Sequence, residues 1–230
     1  MPMKKTSQEP HIEPRWPVAL AILAVLFLLA ALPGRIRLFP NWVPYVLGGV
    51  VLAPMAGTWL TADNWRWLRA ERTITLLFFL VAGGLTLVTL ANLISAMVRR
   101  PAEVSGMQLL TSSIGVWVTN VLAFSLLYWQ IDRGGPGARA NKQSTKPDWL
   151  FPQEGAPEDA PPDWQPPFVD DLFLGFSTAT AFSPTDALPL TSRAKMLMML
   201  ESSISLVTIV VVAARAINIL GNERSAAEVP

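Results

Sequence analysis

Charge along this chain falls in short clusters separated by apolar runs of bilayer length, a pattern that leaves few folds open. A hydrocarbon core takes roughly 20 helical residues to cross. Runs of about that size occupy 17–32, 43–60, 74–98, 107–131 and 194–220, and the first four contain no charged residue. With 51% of residues hydrophobic and 15% charged, a soluble domain would have to intersperse the two, and this sequence segregates them. The expectation is an all-α membrane protein with about five transmembrane helices, multi-pass in the cell membrane, with the lipid bilayer as its first partner.

The boundaries follow from punctuation. Residues 1–16 are polar and Pro-interrupted, reading as a disordered arm, and 221–230 form a tail. Within 17–100 three helices are expected, the first opened by Pro17, where a missing N–H costs nothing, and stopped by Pro33-Gly34. The second, 43–60, carries Pro44, Gly48, Gly49, Pro54 and Gly57 and is the least regular. Trp16, Trp42, Trp59, Trp65, Trp67 and Trp129 stand at run ends, where aromatic residues anchor spans at the interface. Residues 133–167 hold eight prolines and many acids with almost no aliphatics. Such a stretch does not build a core of its own and is read as an extended, solvated, acidic loop over 132–167.

Several chemistries are poorly served. Cysteine is absent, which removes disulfides, thiol nucleophiles and thiolate metal sites, and the single histidine, His11, lies in the polar arm. No nucleophile–base pair stands beside Glu201, Asp186 or Arg215, so an enzyme is not expected, nor is a cofactor or a metal. No basic face suggests nucleic acid.

The last third is the most informative. Residues 168–186 open with Asp170 and Asp171, where a helix N-terminus favours negative charge. They continue through an apolar stretch that spans only about 20 Å as a helix, too short to cross. Pro184 forbids continued helix, and irregular polar backbone at membrane depth is tolerated only against protein or water. A short re-entrant helix is therefore expected here. On the final span Glu201, Ser205, Thr208 and Arg215 are spaced by 4, 3 and 7 and share one helical face. An intramembrane carboxylate is costly, so this face should meet the bundle interior or water, unless Glu201 sits near the interface and pairs locally.

The order helix, loop, half-helix, polar turn, helix resembles the pore domain of the potassium-channel superfamily. That family's pore helix ends in Thr-x-Thr, followed by a Val-Gly-Tyr-Gly-Asp filter, a Pro-Leu-Thr-like exit and an inner helix opening with Met-Leu-Glu. The stretch Phe176-Ser177-Thr178-Ala179-Thr180-Ala181-Phe182-Ser183-Pro184-Thr185-Asp186-Ala187-Leu188-Pro189-Leu190-Thr191, and then Met198-Met199-Leu200-Glu201, lines up with it without a gap. The resemblance implies a homo-oligomer, a tetramer, passing monovalent cations. Thr178, Thr180, Ser183, Pro184 and Thr185 would form the constriction, Asp186 would brace it, and Asp170 and Asp171 would charge its mouth. Ser183 and Thr185 replace the filter glycines, with Pro184 between them. Those glycines adopt positive φ cheaply and these residues do not, so a standard potassium filter is not expected.

The C-terminal two-thirds also resembles the bacterial domain-of-unknown-function 1345 membrane family, through Phe176-Ser177-Thr178, Asp186 and Thr191-Ser192-Arg193-Ala194. This implies a bacterial inner-membrane protein and no particular activity. Two functions stay open: ion permeation, and a non-conducting structural or interaction protein that uses the Pro-rich loop as its contact surface. Sidedness stays open as well. Twelve of the eighteen Lys and Arg residues fall on the face that carries the long loop. The positive-inside rule places that face in the cytoplasm, whereas the channel orientation places the loop outside.

Overall fold

The computed structural model describes residues 16–31, 40, 42–60, 65–99, 106–140, 145–161, 164–180 and 186–227. The described chain is mostly helical. Its elements are α1 (Trp16–Ala31), α2 (Val43–Leu60), α3 (Trp65–Arg99) and α4 (Gly106–Ile131), then a 3-10 turn (Asp132–Gly134) and α5 (Pro136–Ala140). There follow β1 (Trp149–Leu150), α6 (Pro152–Gly155), α7 (Phe168–Thr180), β2 (Leu188–Pro189) and α8 (Ser192–Ala227).

Three segments are long and apolar enough to cross a membrane: Arg72–Ser95, Leu110–Arg139 and Ser192–Ala214. The apolar helices Trp16–Ala31 and Val43–Ala53 are shorter. At 1.5 Å per residue α1 measures about 24 Å, somewhat less than a hydrocarbon core of about 30 Å. Both α3 and α8 run past the apolar stretches expected from sequence into charged flanks, because arginine is a good helix former and nothing in those flanks breaks the helix.

The fold is built around α4, which packs against α1, α3, α7 and α8, while α2 bridges α1 and α3. Polarity runs inside out relative to a soluble bundle. Buried side chains include Thr75, Thr86, Thr89, Ser112, Ser113, Asn120, Ser125, Glu201, Ser205 and Thr208. Large apolar side chains such as Phe27, Tyr45, Leu77, Leu80, Phe173, Leu206 and Val210 face outward. Helices packed in lipid gain nothing from apolar burial alone. They are held by close packing and by polar side chains bonding across helices, as when Ser202 Oγ of α8 donates to Thr178 O of α7 (3.1 Å). Other hydroxyls, such as Thr86 on Ala82 O (2.8 Å) and Thr208 on Ile204 O (2.8 Å), are satisfied within their own helix.

The loop expected to be extended and solvated is instead a folded cap. Trp149 and Phe151 are buried and join Leu90, Phe124, Tyr128, Leu174, Ala194 and Ile204 in one apolar cluster. A segment poor in aliphatics need not make its own core when its few aromatics dock into that of its neighbours. Phe151 also meets Trp164 edge to face at 6.1 Å, so both loop tryptophans find partners inside the fold. Trp129 corrects a second expectation. It is no interface anchor but is 1% exposed, set edge-on to Phe168 (6.2 Å) and under the Arg139 guanidinium (5.7 Å).

The cap begins where α4 is stopped by an unusual turn. Arg133, Gly134 and Gly135 all have positive φ (54°, 84° and 88°), and Gly135 N donates to Asp132 O at 2.8 Å. A Cβ on Gly135 would sit 2.6 Å from Gln130 O. Gly135→Ala therefore meets both a left-handed backbone and a clash, and should cost about 1–3 kcal/mol. A thermal-unfolding series in detergent checks this, with Gly155→Ala, which has open space around its Cβ position, as the silent control.

Candidate functional site

The polar side chains gather in two places, one between α4 and α8 and one where the cap meets the start of α8. The first is carried by antiparallel helices, since Asn120 of α4 reaches Ser205 of α8 and Tyr128, two turns further on, reaches Glu201, one turn earlier. Asn120 Nδ2 donates to Ser205 Oγ at 3.0 Å and to Glu201 O at 3.2 Å. Tyr128 Oη donates to Glu201 Oε2 at 2.5 Å. All four residues are at most 1% exposed. Glu201 Oε1 and Asn120 Oδ1 are buried with no hydrogen-bond partner. Trp149 lies against the Tyr128 ring, with centroids 4.7 Å apart, and closes the pair off on the cap side.

The face read from the sequence is thus the one α8 turns to the bundle. Glu201, Ser205 and Thr208 are all buried, and the Glu201 carboxyl meets Tyr128 of α4 and no partner on its own helix. Arg215 lies within α8, but its side chain falls outside the described residues.

The second cluster is ionic. Asp148, fully buried, accepts from Thr191 Oγ1 (2.6 Å) and from Arg193 Nε (2.6 Å), and its Oδ2 pairs with Arg193 Nη2. Its own N–H donates to Asp132 Oδ1 at 2.8 Å. Arg133 bridges Asp132 (3.1 Å) and Glu154, and Arg139 donates to Trp129 O (3.0 Å) and Asp132 O (3.1 Å). Thr191 also caps α8, taking a bond from Ala194 N at 3.2 Å, which satisfies one of the free N–H groups of the first turn.

Helix α7 packs on both α4 and α8. At 13 residues it is about 20 Å long. It ends at Thr180, and β2, a few residues beyond, pairs antiparallel with β1, with Trp149 opposite Pro189 and Leu150 opposite Leu188. The chain therefore leaves the cap, runs through α7 and returns to the same end before α8 begins.

The expected pore residues separate on this frame. Thr178 is buried, its Oγ1 without a partner, and its carbonyl accepts from Ser202 Oγ at 3.1 Å. Thr180 turns its hydroxyl back onto its own helix, to Phe176 O and Ser177 O, both at 3.0 Å. Ser183, Pro184 and Thr185 lie outside the described residues. Asp186 is exposed and shares a cavity of about 90 Å³ with Asp170, Ser177 and Gln153. Asp171, next to Asp170, points the other way and is fully buried. The two acids assigned to one mouth therefore face different surroundings, as consecutive positions on a helix must.

Sequence reasoning missed Asn120, Tyr128, Asp132 and Asp148. Asn120 carried a usable signal, an amide midway through an uncharged run, which in lipid needs a partner helix. Tyr128 and Asp148 carried none, because their partners lie 73 and 43–45 residues away. Among the described residues no group of three or more His, Cys, Asp or Glu side chains is placed to hold a metal ion. No protein-family model, no curated protein and no solved structure matches the chain.

Proposed function

We propose that this chain is a multi-pass inner-membrane protein whose C-terminal part forms an oligomeric, pore-domain-like unit for monovalent cations, distinct from a standard potassium-selective channel. The observation that carries the reading is α7, a helix too short to cross, held between the antiparallel α4 and α8 with both flanks tied at one end through β1 and β2. In this reading α4 is the outer helix, α7 the pore helix and α8 the inner helix. Helices α1 and α2 complete five spans, with the exposed Trp16 and Trp42 at their ends and local bilayer thinning absorbing their shortness.

Oligomerisation follows from the chemistry of what succeeds α7. Pro184, shortly after α7, argues against continued helix, and irregular backbone at membrane depth would have to be covered by protein or bathed in water. Val169, Phe173 and Phe176 leave an apolar face of α7 exposed. Further copies of the chain, four in a symmetric pore, would cover it and enclose a water-filled axis. Asp170 and Asp186 at one cavity supply the negative charge that draws cations to its mouth.

The test is flux in liposomes reconstituted with purified protein. Cation leak above protein-free vesicles is expected, reduced several-fold by Asp186→Asn with no change in membrane insertion. Tetramers with no leak would sink the permeation reading and leave the second one: a non-conducting scaffold whose exposed acidic, Pro-rich tip, residues 157–161, contacts another protein. That second reading is favoured by Thr180, whose hydroxyl is occupied within its own helix.

A further inference from the structure

The cap is joined to α4 and to α8 by different means. To the α4 end it is bound through the backbone turn at Gly134–Gly135, through Arg139 on Trp129 O and Asp132 O, and through Asp132 on the Asp148 N–H. To α8 it is bound through Asp148, which takes Thr191 and Arg193, through Leu190 N on Asp148 O (2.8 Å), and through Trp149 Nε1, which donates to Met198 Sδ at 3.3 Å. The halves of the Asp148–Arg193 pair differ sharply in their surroundings. The Asp148 side chain is 0% exposed and that of Arg193 is 57% exposed. Water and solute ions therefore reach the guanidinium that neutralises a buried carboxylate. Arg193 Nη2 also reaches Ile131 O at the end of α4, at a long 3.5 Å, but the α4–α8 contact does not depend on this residue, since Asn120–Ser205 and Tyr128–Glu201 hold the two helices further along.

We propose that residues 145–155 form a strap latched to α8 by the Asp148–Arg193 ion pair, which opens as a unit while α4 and α8 stay joined. Opening swings β1 away from β2 and lifts Trp149 off Tyr128. The tyrosine that binds Glu201 then meets water, so the latch controls access to the buried polar pair from the cap side. Removing the carboxylate charge loses the bidentate contact, which is the strong form of an Arg–carboxylate pair. The remaining Thr191 and main-chain bonds are of ordinary strength. This inference stands whether or not the protein conducts ions.

Hydrogen exchange read by mass spectrometry on the full chain in detergent tests it. In Asp148→Asn, amides of 145–155 and 188–191 should exchange at least tenfold faster, with those of 116–128 and 201–211 unchanged. Arg193→Gln, which alters a mostly solvated side chain, should give the same local pattern and serves if the first variant does not accumulate folded. Unchanged exchange in the cap would overturn the proposal. Acceleration spread equally through α4 and α8 would also overturn it, because the cap would then be part of the bundle's cooperative core.

Discussion

Gly175→Leu should detach α7 from α4 and lower the thermal stability of the detergent-solubilised protein by about 3 kcal/mol or more, the upper end of what overpacking costs. Gly175 lies where the backbone of α7 comes close to that of α4. A Cβ there would overlap Ser125 Oγ and come within 3.3 Å of both Ser125 N and Val121 O. The obstacle has little freedom to move. Ser125 is fully buried and its hydroxyl donates to Val121 O at 2.7 Å, so two of the three atoms in the way are α4 backbone and the third is bonded to it. Small residues at helix crossings let backbones approach in this way. Gly175→Ala should show the same defect in milder form, and Gly155→Ala, with open space at its Cβ position, should show none. Melting followed by tryptophan emission checks this, Trp117 of α4, edge-on to Phe176 at 5.9 Å, being one of the nine tryptophans that contribute. A Gly175→Leu protein melting with the wild type would mean that α7 does not pack on α4 in this register.

How far such a structure can be read from sequence depends on the range of the interaction. Helical segments were legible from runs of apolar residues, because the bilayer fixes both the length and the composition of whatever crosses it. The inward face of α8 was legible too. Glu201, Ser205 and Thr208 recur with the helical period, and polar groups in an apolar helix must turn away from lipid. The cap was not legible. Its proline content and lack of aliphatics argued for a solvated loop, and no local rule says that Trp149 slots onto Tyr128 or that Asp148 meets Arg193. Trp129 misled for a related reason, since position at a run end suits an interface anchor and a core residue equally well. Its burial follows from the docking of Phe168 and Arg139, which only tertiary structure supplies. Asn120 stands between these cases, its need for a partner evident and the partner's identity hidden.

Tyr128→Phe removes one oxygen from this interior and should cost about 1–3 kcal/mol, the range for leaving a buried polar group without its partner. The phenyl ring keeps the shape that Trp149 and Phe124 pack against, with centroids at 4.7 and 6.0 Å, so the loss isolates the donor. What remains is a Glu201 carboxyl, 0% exposed, with Oε1 already unpartnered and Oε2 now stripped of its 2.5 Å donor. Leaving a buried polar group alone is costlier than never having placed it there. Glu201→Leu on the Tyr128→Phe background should therefore recover much of the lost stability, because both halves of the pair become apolar. A double-mutant cycle across the two positions measures this, with a coupling of about 1–3 kcal/mol expected for residues in direct contact. Strict additivity would mean that the two side chains do not share a hydrogen bond in the bilayer. Coupling would establish that α4 and α8 are pinned through a polar contact in the interior of the bundle, as the inward face of α8 requires.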